Sequence, residues 1–429
     1  MKIDCNKRIL FTFDYLCNFY LDPVNTWNNR HIDRETGLSK AEKIVLGRYI
    51  KEQLPRWQER LDKEKTTFSF RVDRDESAVP RTLHVLRDHT GQLRVMVLCK
   101  TKRIPAVGFG GFKKVTKAVD WLTKEIWCFA NTRERIHQVI HEVEMETIAR
   151  SHPLGRNIKV PSCGLIRYEN KGSAKLGFFS QLREGNLVNL VEKLDDSEKM
   201  KVMRSCMEIL LLLEQKQIEH RDIKLQNFLF WRENGELRIE LIDFGIARQE
   251  KTDDPSSKYY IDGTPLLFSP ELKRAQLAAN FLNDTNTLHR IRDNSWTKGD
   301  IWMMGLVLYA VLQGKKSACE AGYPIAQEIA RFSIENLSEI STVLKDDDLF
   351  MKEIYGNQSA VFDEPPKETP LHLVWQMLQI DYRMRPSATD LYEQFNRLFP
   401  ESTQQHQVPS VDGNILTTEN TESPEPVLI

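Results

Sequence analysis

HRDIKLQN, residues 220–227, runs directly into FLFWRENGELRIELIDFG, residues 228–245. The second stretch alternates apolar and polar residues on both sides of Asn234-Gly235. That dipeptide is a strong signal for a two-residue hairpin turn, because both positions accept positive φ. A short ribbon of this kind holds Asp222 and Asp243 at its two ends, where both carboxylates can face one cleft.

The two segments match H-R-D-x-K-x-x-N and D-F-G residue for residue, and on these residues the chain resembles the eukaryotic-type protein kinase superfamily. A chance coincidence in a packed core is the competing reading, and the register of Asn227 and the hairpin speaks against it. The resemblance implies an α+β bilobal protein kinase fold, with a small β-rich lobe and a large helical lobe. It implies ATP and Mg²⁺ as cofactors and a protein hydroxyl as acceptor. Phosphoryl transfer needs positioning and charge neutralisation more than covalent help. In that chemistry Asp222 orients or accepts the hydroxyl proton. Asn227 and Asp243 offer oxygens to Mg²⁺, a hard cation that prefers them. Lys224 resembles the lysine of Ser/Thr-type kinases that contacts the transferred phosphate.

The resemblance continues downstream. GTPLLFSPE (263–271) looks like the end of an activation segment, with Ser269-Pro270-Glu271 in place of A-P-E. DIW (300–302) looks like the start of the buried central helix of the large lobe, and YRMRP (382–386) implies that Arg385 pairs with Glu271. Exposed surface charges are the plainer reading of that last pair. Between Glu271 and Asp300 the chain is longer than the family usually is, so an inserted loop or helix is expected. The resemblance covers roughly 101–399, with the small lobe to about 180 and the large lobe over 184–399.

Upstream, VGFGGFKKV (107–115) opens like a phosphate-binding loop, with Val107, Gly108, Gly110, Gly111 and Val115 in place. Lys113 stands where the third glycine belongs, and the strand-three lysine of the family falls on Ala130 in WCFA. A hairpin turning at Trp121-Leu122 sets Val115 opposite Cys128 and Lys113 opposite Ala130. Directly opposed residues share a face with Cβ atoms about 5 Å apart, so Lys113 can fill the space left by the small alanine. Lys114 points to the other face. This arrangement is similar to the with-no-lysine (WNK) kinases. The departure is Phe244, where those kinases typically carry leucine in the D-F-G motif, so their chloride regulation does not carry over. Two other readings of Lys113 stay open: a solvated loop lysine in an inactive kinase, and a misalignment.

The acidic partner of that lysine is either Glu142 or Glu144. The text EVEM favours Glu142. The stripe Ile136, Ile140, Glu144, Ile148 turns Glu144 inward, and the helical period selects Glu144. FFSQLREGNL (178–187) resembles the hinge. There Phe179 is the expected gatekeeper, and the backbone at Gln181 and Leu182 is expected to meet adenine. Arg221 implies an anion from the activation segment, for which Ser256, Ser257, Tyr259 and Tyr260 are candidate phosphorylation sites. Asp253-Asp254 is a built-in acidic alternative.

The bulk numbers bound the rest. The 429 residues suffice for about two or three domains. Sixty basic against 61 acidic residues leave a net charge of −1, so no global field recruits nucleic acid or an anionic membrane. Seven scattered cysteines without C-x-x-C fit reduced thiols and a cytoplasmic location. The first residues show no signal-peptide pattern. CMEILLLLEQ and IWMMGLVLYAVLQG are too short to span a bilayer and read as buried helices. Residues 1–66 read as a helical extension, capped at Ser39 and Glu42 and interrupted at Pro55. The extension offers a surface for a partner protein. TTFSFRV, RTLHVL and LRVMVL within 67–100 read as additional strands packed on the small lobe. The tail, 400–429, contains no Lys or Arg and reads as disordered. Its end, ESPEPVLI, resembles translocation signals of bacterial type IV secretion effectors. That resemblance implies secretion into a host cytosol, and an ordinary terminus is the alternative. The expected activity is that of a Ser/Thr protein kinase using Lys113. A pseudokinase scaffold and a small-molecule kinase of related fold are the alternatives.

Overall fold

The computed structural model describes residues 8–10, 40–64, 68–73, 81–88, 90–98, 108–109, 113–132, 136–159, 163–170, 173–249, 263–282, 297–323, 342–356 and 358–400. Val107, Gly110, Gly111, Ser39, the four candidate phosphorylation sites, Asp253-Asp254 and the tail lie outside them.

Nine strands share one sheet. They are β1 (Arg8–Leu10), β2 (Phe68–Asp73), β3 (Arg81–Arg87), β4 (Leu93–Leu98), β5 (Gly108–Phe109), β6 (Lys113–Asp120), β7 (Ile126–Thr132), β8 (Cys163–Asn170) and β9 (Ser173–Gln181). The order is β1-β2-β3-β4-β6-β7-β9-β8, with β5 paired to β6, and β4 to β9 is antiparallel throughout. The three added strands β2–β4 therefore extend the small-lobe sheet itself. Helix α1 (Lys40–Glu64) covers this extension. Leu46, Tyr49, Ile50, Trp57 and Leu61 pack on Leu83, Val85, Val95 and Val97.

Pro55 does not interrupt α1, contrary to the sequence expectation. A proline inside a helix costs one hydrogen bond and a clash, and the apolar stripe buried on both sides of Pro55 offsets it. Trp57 is 7% exposed and meets Tyr49 edge-on at 6.0 Å. Trp57→Ala is expected to lower unfolding free energy by about 3–5 kcal/mol. Chemical denaturation of the two proteins checks it.

On the inner side of the sheet lies α2 (Ile136–Arg150). The remaining strands are short: β10 (Gly185–Asn186), β11 (Ile218–Glu219), β12 (Phe228–Glu233), β13 (Glu236–Leu241) and β14 (Arg248–Gln249). β12 and β13 form the expected hairpin, with Asn234 and Gly235 both at positive φ, 52° and 84°. The large lobe is helical: α3 (Asp196–Gln215), α4 (Pro270–Leu282), α5 (Lys298–Gln313), α6 (Asp347–Tyr355), α7 (Pro370–Met377) and α8 (Ala388–Leu398). The two apolar runs of the sequence are the buried parts of α3 and α5, and they share one core with α7, α8 and the hairpin. Among the described residues, no helix is long and apolar enough to cross a membrane. Residues 283–296, where an insertion was expected, lie outside the described residues.

Candidate active site

The centre of the site is Asp222, 8% exposed. Lys224 Nζ donates to Asp222 Oδ2 at 2.6 Å, and Thr264 Oγ1 donates to Asp222 Oδ1 at 2.7 Å. Lys224 Nζ also meets Thr264 Oγ1 at 3.1 Å, which closes a ring of three side chains. Asn227 Nδ2 donates to the Asp222 carbonyl at 2.8 Å and to Oδ2 at 3.2 Å. Each partner holds the carboxylate in place, and the amide leaves Asn227 Oδ1 as the oxygen to offer elsewhere.

The loop that presents Asp222 is fixed from below. Asp300, in the first turn of α5, accepts from the His220 N–H at 2.6 Å and the Arg221 N–H at 2.9 Å. Arg221 adopts φ 71°, a strained value that these two bonds hold. Burial keeps the His220 imidazole below its usual pKa. As a neutral ring, its Nδ1 accepts from the Asp222 N–H at 3.3 Å while Nε2 donates to the Ile242 carbonyl at 3.0 Å. Phe244 then packs edge-on against His220 at 4.8 Å.

Asp300 itself is pushed up to about 7, first by burial and then by Glu219. An unfolded aspartate releases its proton near 3.8. The folded state therefore holds an extra proton between these values, and stability falls as pH rises through the interval. The wild-type midpoint of thermal unfolding should decline from about pH 4 to about pH 7 relative to Asp300→Asn. Equal slopes for the two proteins would contradict this assignment.

Asp243 follows β13 in the left-handed region, φ 71° and ψ 59°. A methyl group added at Gly245 would lie 3.7 Å from Asp243 Oδ1 and 3.9 Å from Glu142 Oε2. The two carboxylates thus flank Gly245. Glu142 is 2% exposed, whereas Glu144 is exposed. The inward-facing carboxylate is therefore Glu142, not the expected Glu144. The buried stripe of α2 is Val139, Glu142, Met145, Glu146 and Ala149, and the isoleucine row that selected Glu144 is only half-buried at Ile140 and Ile148. Two acids occupy positions that a hydrophobic pattern assigns to apolar residues. That is why periodicity misled.

The glycine-loop hairpin also differs from expectation. Lys113 pairs with Thr132, not Ala130, and Val115 pairs with Ala130, not Cys128. The cause is the turn. Asp120 Oδ1 accepts from the Leu122 N–H at 3.1 Å and Oδ2 from Thr123 Oγ1 at 2.8 Å, while the Lys124 N–H reaches the Asp120 carbonyl at 2.8 Å. An Asp-capped loop longer than two residues shifts the register by two. A shift of two preserves the face. Lys113 stays in the row of Val115 and Ala130, diagonal to Ala130, and Lys114 stays in the other row.

Phe179 is not beside that row. It pairs with Phe129 and packs at 4.8 Å against it, with His84, on the opposite face of the sheet. Gly177 permits this, since a Cβ there would meet Phe129 at 2.2 Å. The residues that share the face of Ala130 and Cys128 are Phe178 and Ser180. Gln181 ends β9 opposite Trp127, and Leu182 follows it. The next residue, Arg183, anchors this connection to the large lobe. It grips Glu240 through two bonds, 2.8 and 2.9 Å, and its guanidinium lies 3.7 Å over Trp231.

The expected Glu271–Arg385 pair is present and buried, with two bonds of 2.7 and 2.9 Å. Thr264, Arg183, Glu146, Lys159 and the loop-holding role of Asp300 escaped the sequence reading. A carboxylate directly preceding the apolar run 301–312 is the available signal for Asp300, and the G-T-P triplet is the one for Thr264.

Residues 101–395 match the protein kinase domain family. Among curated proteins, the chain is 27% identical over 203 residues to a serine/threonine-protein kinase atg1 of Dictyostelium discoideum, covering 47% of this chain and 24% of that protein. It is 24% identical over 293 residues to calcium-dependent protein kinase 3 of Oryza sativa subsp. japonica, covering 67% of this chain and 45% of that protein. To serine/threonine-protein kinase zyg-8 of Caenorhabditis elegans it is 31% identical over 128 residues, covering 30% of this chain and 14% of that protein. The alignments span less than half the length of each of these relatives. With the Asp222 ring, the Asp243 turn and the buried Glu271–Arg385 pair in one fold, the family match over residues 101–395 is decisive: the chain belongs to the protein kinase domain family.

Proposed function

We propose that the chain is a serine/threonine protein kinase that moves the γ-phosphate of ATP to a protein hydroxyl, with its nucleotide-facing cation supplied by Lys113. The observation that carries this reading is the closed ring of Asp222, Lys224 and Thr264, with Asn227 bonded to the same carboxylate. Asp222 accepts the hydroxyl proton as the phosphoryl group leaves ATP. Lys224, already beside Asp222, offsets charge on the transferred group. The donor set suits a magnesium ion: Asn227 has its amide nitrogen engaged and its oxygen to offer, and Asp243 follows Ile242, whose N–H donates to the Asn227 carbonyl at 2.9 Å. Held by Asn227 and Asp243, such an ion would neutralise charge that develops on the transferred phosphoryl group.

Lys113 supports this reading by its row on β6, and Ala130 by leaving the usual lysine position small. Glu142 is the carboxylate placed to receive that amine. Gly108 of the glycine loop and Gln181-Leu182 of the hinge bracket the nucleotide from two sides. Ala130 equally favours a second reading, a pseudokinase scaffold that binds nucleotide or a partner without transfer. Radiolabelled phosphate incorporation by the purified protein, set against Asp222→Ala and Lys113→Met, separates the two. Transfer that survives both substitutions contradicts the proposal, and nucleotide binding without transfer by wild type establishes the scaffold.

A further inference from the structure

Helix α2 buries two carboxylates one turn apart, Glu142 at 2% and Glu146 at 0% exposure. Like charges at this spacing repel each other, and a buried carboxylate requires a cation. Glu146 receives one from outside the helix. Lys159 Nζ lies 2.9 Å from Glu146 Oε1, with side-chain exposures of 11% and 0%. The same ammonium lies 5.3 Å from the Phe178 ring centroid, and Phe178 stands opposite Ala130 on the nucleotide-facing row.

The main chain of Lys159 faces another way. Its N–H donates to the Leu241 carbonyl at 3.1 Å, and Leu241 ends β13 two residues before Asp243. Lys159 therefore ties α2 by its side chain to the strand that carries Asp243 by its backbone. One turn up the helix, His141 Nε2 meets the Ala247 carbonyl at 2.6 Å, just past the Asp243-Phe244-Gly245 turn. Between these two ties sits Glu142, beside Gly245.

We propose that Lys159 is a positioning residue of the phosphotransfer site: by holding Glu146 it fixes the rotation and height of α2 and makes Glu142 the counter-charge that faces the cleft. The proposal rests on the reading of this cleft as a phosphotransfer site. Two buried carboxylates one turn apart on one helix face offer a cleft amine two docking positions, separated by about 5.4 Å along the axis. Lys159 removes one of them. An apolar pair at 146 and 159 fills the same space but carries no preference for one helix height, which is the register role best attested for buried ionic groups.

The test compares wild type, Lys159→Arg, Lys159→Met and Lys159→Met/Glu146→Leu by kcat, KM for ATP, thermal midpoint and hydrogen exchange of α2. Lys159→Met is expected to lower kcat about tenfold or more, since small misplacements in an active site carry costs of that order. Lys159→Arg, which keeps the charge, should stay within about threefold of wild type. The double variant keeps the proposal testable if Lys159→Met fails to fold. It is expected to recover the thermal midpoint while kcat stays low and α2 amides exchange faster than in wild type. Recovery of kcat together with the midpoint overturns the proposal and leaves a packing role only. If wild type shows no transfer that Asp222→Ala abolishes, the phosphotransfer reading fails instead. The exchange arm then decides the positioning claim: unchanged α2 protection in the double variant overturns it, and faster exchange upholds it.

Discussion

Asp222→Ala is expected to reduce phosphate transfer by about 10²–10⁴-fold in kcat, the usual share of a positioned acid–base group, while nucleotide affinity changes little. The geometry explains the split. Asp222 touches Lys224, Thr264 and Asn227, and its carboxylate is the acceptor on which all three converge. Alanine removes the acceptor and leaves a partly buried ammonium and a hydroxyl facing each other, so some stability goes with the activity. Asp222→Asn separates the two effects. An amide preserves the size and keeps one oxygen as acceptor, so thermal stability should lie closer to wild type than in the alanine variant. It cannot take up a proton at neutral pH, so kcat should fall nearly as far. Single-turnover transfer and nucleotide titration on the same preparations check both statements. An Asp222→Asn protein that retains more than about a tenth of wild-type kcat would place the proton acceptor elsewhere.

The site was legible in the sequence where residue identity alone decides chemistry. Asp222, Lys224, Asn227 and Asp243 sit in contiguous text, and the Asn234-Gly235 turn has a single favoured geometry, so strand pairing followed without ambiguity. Legibility failed where the answer depended on packing. Isoleucines mark a stripe that selects Glu144, yet α2 buries Glu142 and Glu146 instead, the latter against Lys159. Phe179 looked like a gatekeeper by spacing. Strand parity sends it to the other face, and only the observed pairing of β7 with β9 sets that parity. In α1, Pro55 reads locally as a break, and burial on β3 and β4 overrides it. The α2 error has this cause: periodicity reports which face is apolar, and acids buried by tertiary packing look like its exceptions.

The register of β6 leads to the second large effect. Lys113 is diagonal to Ala130 rather than opposite it, and diagonal neighbours lie about 7–8 Å apart, within reach of a long side chain. Under the proposed function the amine at 113 meets phosphate oxygens, and removal of one such preorganised donor costs about 10²–10³ in kcat. Lys113→Met is expected to show that loss. Lys114→Met is expected to stay within about threefold, because adjacent strand positions point to opposite faces. The sharper measurement moves the amine. Ala130→Lys introduced into the Lys113→Met background restores a cation from the neighbouring strand, in the same row and across from Val115. If the cleft requires one amine against Glu142 and is indifferent to which strand delivers it, the double variant recovers at least about tenfold over Lys113→Met. Ala130→Lys alone crowds a second lysine into a space suited to one and should lower turnover. Full activity in Lys113→Met, or equal damage from Lys114→Met, contradicts the assignment. Loss in Lys113→Met without recovery in the double variant shows instead that the cleft depends on the β6 position itself and not merely on the charge.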